Sequence, residues 1–229
     1  MKKLIFLLFP VFSYGQIAIN KLYYAAASVT TNATAFGISG ATFTTGKLYL
    51  LITASTGTTN PGTLTSSTLT WSSVINYGDA TRRIQVFRCV PGSTATGENV
   101  SLGTFGGGST GFLFGIWEIT GFDITTPIAQ LNFDSQTGAN PTITLAALQN
   151  SRSAVISVFF NNRNGFSGAE ESGWVEDLDD GYTTPDAGSY IMSRTTTTDN
   201  TPTVTSSSST WIGIALEIKA AGRRATVIN

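Results

Sequence analysis

The sequence predicts an all-β protein, an antiparallel β-sandwich or jelly-roll-like fold built from two related halves. Three observations carry that reading. Residues 111–121, GFLFGIWEITG, return as residues 210–220, TWIGIALEIKA, with a Glu at the same place in each. Period-2 alternation puts Leu113, Gly115, Trp117 and Ile119 on one strand face, matched by Ile212, Ile214, Leu216 and Ile218. Upstream, 47–54 is echoed by 154–161, Trp71 by Trp174, and 82–90 by 189–195. Such a repeat implies two modules, each unable to bury its inner face alone. The second observation is composition. Thr (36), Ser (23) and Gly (24) exceed a third of the 229 residues and only 12% are charged, which suits pleated strands joined by short polar turns. The third is punctuation: turn signals at Thr45-Gly46, Asn60-Pro61-Gly62, Gly78-Asp79, Pro91-Gly92 and Gly106-Gly107-Gly108 separate short apolar runs.

The elements follow in order. Residues 1–15 read as a signal peptide: two lysines, an apolar run from Leu4 to Phe12, then Ser13-Tyr14-Gly15, with Gln16 as the mature N-terminus. The run is too short to span a bilayer, and Pro10 argues against a buried strand there. Residues 16–34 supply an N-terminal strand or leader. The first β module covers 35–121, with strands near 38–43, 47–54, 67–77, 82–90, 98–103 and 111–120. Residues 122–139 form a connector apolar enough at 128–133 for one more strand. The second module covers 140–221, with strands near 141–147, 153–161, 173–178, 188–195, 202–207 and 210–219. A polar tail, 222–229, completes the chain. No segment has a helical period, and LAALQN at 145–150 is at most one turn.

The order TGKLYLLITAST, TLTWSSVINYG, RRIQVFRCV, NVSLG, GFLFGIWEITGF resembles a β-sandwich module of bacteriophage virion proteins and some secreted bacterial proteins. In that module an apolar strand after Gly is followed by a W-x-x-[VL] segment, a strand with a basic residue, and a final strand x-x-E-[IV]-x-G. Here these are Gly46–Thr53, Trp71–Val74, Ile84–Arg88 and Glu118–Gly121, and the likeness extends over roughly residues 42–221. The resemblance implies a structural or surface-binding role with no shared reaction chemistry.

The residues themselves exclude several chemistries. The chain has no histidine, which removes Ser-His-Asp and Cys-His activation and most zinc sites. It has no phosphate-binding GxxxxGK[ST] loop, and a net charge of −1 leaves no basic stripe for nucleic acid. Cys89 is alone, so no intrachain disulfide forms, and it reads as a small buried hydrophobe. Half of the fourteen acids fall in one stretch: Glu170, Glu171, Glu176, Asp177, Asp179, Asp180 and Asp186, with no Lys or Arg between Arg163 and Arg194. Glu176, Asp177, Asp179 and Asp180 are the candidate metal ligands, because Asp177-Leu178-Asp179-Asp180-Gly181 offers hard oxygens and a sharp turn of the kind Ca²⁺ takes. The full EF-hand pattern is missing, and a solvated acidic loop or a catalytic carboxylate pair fits the same residues. Trp71 and Trp174, at equivalent repeat positions, read as core or core-edge rings. Tyr77, Tyr182 and Tyr190 are the aromatics available to stack on sugars. Arg88 and Arg194, near the ends of corresponding strands, are expected to pair with Glu118 and Glu217.

These readings converge on a non-catalytic structural or attachment protein on the exterior of a virion or a cell, exported through its N-terminal signal. The alternative is a secreted carbohydrate-binding module, Ca²⁺-assisted through the acidic stretch. The expected partners are other copies of the chain or other structural subunits, or surface glycans. Neither a nucleic acid nor a membrane span in the mature chain is expected.

Overall fold

The computed structural model describes residues 16–28, 36–57, 63–103, 111–161, 163, 169–183, 186–195 and 197–222. Among these, the apolar runs form β1 (Ala18–Ser28), β2 (Phe36–Phe43), β3 (Leu48–Thr56), β4 (Leu64–Ser66), β5 (Ser72–Gly78), β6 (Arg82–Cys89), β7 (Ala95–Leu102) and β8 (Gly111–Thr120). They continue as β9 (Ile128–Gly138), β10 (Ala154–Asn161), β11 (Ala169–Glu170), β12 (Val175–Thr183), β13 (Asp186–Arg194), β14 (Val204–Thr205) and β15 (Ser209–Ile218). No helix occurs among them, and every strand pair is antiparallel.

Two five-stranded sheets form the centre, in the orders β1-β8-β3-β6-β5 and β9-β15-β10-β13-β12. The two orders have the same pattern, and so do the registers. Tyr49 stands between Glu118 and Cys89 as Val155 stands between Glu217 and Arg194. The edge strands β5 and β12 each carry a bulge three residues after their tryptophan, at Val74 and Asp177. The outer face of the first sheet is covered by a small sheet, β2-β7-β4, and that of the second by the β11-β14 ribbon and the Thr142–Thr203 bridge. The result is four layers. Because β3 and β10 are buried on both faces, their sequences lack the polar alternation of a one-sided strand.

The main core lies between the two five-stranded sheets and contains Leu113, Trp117, Ile119, Ile212, Ile214, Leu216 and Ile218 together. Smaller cores lie outside, around Phe43, Tyr49, Leu51 and Phe114 on one side and Val155, Phe159, Trp174 and Trp211 on the other. Volume is exchanged between corresponding positions. The first sheet has Gly115 beside Trp117 where the second has Ile214 and Leu216, and a Cβ on Gly115 would lie 2.4 Å from the Trp117 ring. On the outer faces, Thr53 opposite Phe114 corresponds to Phe159 opposite Gly213. Each pair is one large and one small side chain, so both layers reach close packing by different routes.

Several expected elements change. Of the strand expected at 67–77 only β5 forms, from Ser72; residues 67–71 are not strand, and β4, just before them, is unexpected. The additional strand expected at 128–133 within the connector forms as β9, runs on to Gly138, and supplies the edge of the second sheet. The segment at 141–147 joins no extended strand and makes one bridge at Thr142. The acidic stretch is strand rather than loop: β12 runs to Thr183, five residues beyond the expected end. Residues 1–15, the glycine triplet 106–108 and most of the tail lie outside the described residues.

Candidate functional site

Strand parity decides what the acidic stretch can do. Around the Asp177 bulge, Glu176 and Asp179 stand opposite Met192 and Tyr190 on the outer face of the sheet, while Asp180 stands opposite Ser189 on the inner face. Glu176 Oε2 lies 3.2 Å from the Tyr190 hydroxyl, which also reaches Glu170 Oε2 at 2.9 Å. Asp180 Oδ2 accepts from the Tyr24 hydroxyl of β1 at 2.5 Å. Asp177 enters a cleft between the sheets. The four candidate ligands are thus divided between two faces, and no group of three or more acids, histidines or cysteines is placed to hold a metal among the described residues. A Ca²⁺ ion takes six to eight oxygens around one point, which opposite faces of one strand do not offer.

Other sequence expectations sort as follows. Trp71 and Trp174 do occupy equivalent places, each packed into an outer core, and Trp174 Nε1 donates to Asp199 Oδ2 at 2.9 Å. Tyr190 is buried and so presents no face for a sugar, Tyr77 is half-buried against Phe133, and the side chain of Tyr182 lies outside the described atoms. The expected arginine pairs are replaced. Glu118 takes Lys47 Nζ at 2.7 Å and the Tyr49 hydroxyl at 2.9 Å, because Arg88 aligns with Leu50 on the opposite face. Arg194 shares a face with Glu217, but Val155 separates them, and Arg194 pairs with Asp199 at 2.8 Å. Glu217 accepts from Gln130 Nε2 and the Gln149 N–H, both at 2.8 Å. Cys89 is buried, which pushes its thiol up to about 11.

The informative comparison is between the two seams where the central sheets meet edge to edge. At one, β9 lies over β5, and the seam is apolar. Val74, Tyr77, Val90, Ile128 and Leu131 pack on the main core, and the Tyr77 and Phe133 rings lie 4.4 Å apart. At the other, β1 lies over β12, and five of the corresponding positions carry polar groups, while Ile19 keeps the place of Ile128. Asp177 replaces Val74, Asp180 replaces Tyr77, Thr195 replaces Val90, Lys21 replaces Leu131 and Tyr24 replaces Phe133. Lys21 Nζ donates to the Asp177 carbonyl at 2.7 Å and lies 6.0 Å from the Tyr24 ring centroid. Here the sheets leave a cleft of about 360 Å³ walled by Ile17, Ile19, Val175, Ser193 and Thr195, with Asp177 on its wall.

Burial pushes the Asp177 carboxyl up to about 6, against the opposing pull of the Ser193 hydroxyl and the Lys21 ammonium. Its Oδ2 is buried and has no hydrogen-bond donor. A folded pKa above the unfolded one means a penalty that is absent below about pH 4, grows as pH rises through 6, and is complete above it. Asp177→Asn should therefore raise stability at pH 8 by up to about 2 kcal/mol and leave it unchanged near pH 4. Urea denaturation at the two pH values measures this, and equal shifts at both would refute the burial effect.

Sequence reasoning found Asp177 and Asp180 but missed Lys21, Tyr24, Ser193 and Thr195. Only the sheet registers bring Lys21 and Tyr24 into line with Leu131 and Phe133: aligned that way, the two central sheets differ in polarity along one stripe. No family model, curated protein or solved structure matches the chain.

Proposed function

We propose that the chain is a non-catalytic structural or attachment subunit of an exterior surface, of a virion or a cell, and that it associates through its sheet edges. One observation carries this reading. Of the four exposed large hydrophobic side chains among the described residues, three lie on edge strands: Leu22 on β1, Phe133 on β9 and Val175 on β12. β1 and β9 are each 11 residues long and occupy the same place in their sheets. Long edges with apolar side chains are templates for pairing with another chain, and monomeric proteins blunt them with charge, proline or a cover. A subunit that assembles has use for them.

The test is light scattering on the purified chain over a concentration series. Oligomers should form as concentration rises, and Leu22→Lys with Val175→Lys, the two most exposed of these edge side chains, should return the chain to monomer without changing its melting temperature by more than a few degrees. A wild-type chain that stays monomeric and binds a polysaccharide on a glycan array would replace this reading with the carbohydrate-binding one.

A further inference from the structure

We propose that β1 is an exchangeable strand: two copies of the chain swap their β1 strands, each filling the place beside β8 and over β12 of its partner. Exchange gives the edge association proposed above, on which it rests, a partner and a form. The two halves differ in how firmly they hold the strand at this position. β1 and β9 occupy the same place in their sheets, and each has one sheet neighbour, β8 or β15. β9 is fixed twice over. Its ladder runs unbroken from Gln130 to Gly138, and its seam with β5 is apolar, with Ile128 and Leu131 on the main core and Phe133 against Tyr77. β1 is held less firmly on both counts. A bulge at Leu22 divides its ladder into the runs 18–21 and 23–28. Its seam with β12 consists of the Lys21 and Tyr24 hydrogen bonds beside a cleft of about 360 Å³. Water replaces hydrogen bonds of this kind when a strand leaves, whereas the apolar contacts of β9 have no such substitute.

What β1 leaves behind decides the occupant. Beside it lie Leu113, Trp117 and Ile119 of β8, all buried, and its own Ile17 and Ile19 pack on the same core. An empty place would bare that apolar surface together with the unpaired N–H and C=O row of β8. Refilling it takes a strand with aliphatic residues at 17 and 19, a bulge at 22, a lysine for the Asp177 carbonyl and a tyrosine for Asp180. The β1 of a second copy meets all of these requirements, so exchange restores every contact that leaving breaks.

Topology permits the exchange. β1 forms no hairpin, since its sheet neighbour β8 begins at Gly111. Residues 29–35 join it to β2, and seven residues fully extended reach roughly 25 Å. With Gln16 as the mature N-terminus, β1 is a terminal strand and leaves its place without drawing a second connection after it. The strand given and the place filled lie on the same side of the molecule, where Leu22 and Val175 are exposed. Reciprocal exchange therefore closes as a two-fold dimer and does not propagate as an open chain.

The experiment uses the full chain with Ala18→Cys and Thr120→Cys, which stand opposite each other on β1 and β8. Cys89 is buried and its thiol is pushed up to about 11, so it stays out of the reaction. Oxidised as the dilute monomer, the pair should close within one chain. Light scattering should then show no dimer at about ten times the concentration at which the reduced form assembles. Oxidised after assembly, the pair should join two chains and give a covalent dimer on a non-reducing denaturing gel. Should the first pair fail to close, Ile19→Cys with Ile119→Cys on the next rung offers the other of the two alternating spacings of an antiparallel ladder. Intrachain disulfides alone in the assembled sample, or a locked monomer that associates like the reduced one, would overturn exchange and leave edge association standing. A chain that stays monomeric at every concentration would overturn both.

Discussion

Trp117→Ala should cost about 3–5 kcal/mol in urea denaturation at neutral pH, the largest loss expected of any single truncation among the described residues. The indole is fully buried between the two central sheets and lies over Gly115, where even a methyl would collide with it. The second half shows how the loss is repaired, because its corresponding residues are Ile214 and Leu216. Gly115→Ile alone should be strongly destabilising through overpacking, and Trp117→Leu alone through a cavity. Combined, they transplant the packing of one sheet into the other and should cost far less than the two added together. Strict additivity in that cycle would mean that the two positions do not share the space the registers assign them.

Glu98→Ala is the second large loss, about 2–3 kcal/mol at pH 7. Glu98 is 1% exposed, and its carboxylate accepts from Ser66 Oγ at 2.8 Å, the Thr68 N–H at 3.1 Å and the Thr68 hydroxyl. These contacts tie β7 to the turn after β4 and so hold the small sheet that covers the first outer core. Burial pushes its carboxyl upward, but the hydrogen bonds from Thr68 and Ser66 outweigh it and hold the folded pKa below the ordinary range. The sign is opposite to that of Asp177. The stabilisation is complete above the unfolded pKa, about 4.3, and is lost as pH falls through the lower folded value. Unfolding curves of wild type and Glu98→Ala should therefore draw together as pH falls below the ordinary carboxylate range. A gap that stays constant through acid pH would assign the loss to side-chain volume alone.

Architecture was legible in the sequence wherever burial imposed a period. The runs around Leu113 and Ile212 gave β8 and β15 and their common core, since a residue facing that core tolerates little except an apolar side chain. The cover layers were read poorly. β11 and β14 are two residues each and β4 three, too short to carry a pattern, and the start of β5 was set too early because the Thr- and Ser-rich turn before it resembles strand composition. For the site, counting acids located the right strand but gave the wrong grouping. A run of carboxylates looks like a cluster in one dimension, whereas a pleat sends Asp179 and Asp180 to opposite faces. The bulge at Asp177 shifts the parity once more, and no local residue announces it. The partners Lys21 and Tyr24 lie in the leader, 156 residues from the acids they meet.

That separation also sets a timetable for synthesis. β1 pairs with β8, so the first strand made has no neighbour in its sheet until residues 111–120 exist. Its contact with β12 must wait longer still, until the chain has passed residue 180. Contacts so distant in sequence form late, because a long loop must close before they return any energy. The Asp177 cleft is therefore among the last features the chain acquires, and a truncated product lacking β12 would hold much of the first sheet yet lack the cleft altogether.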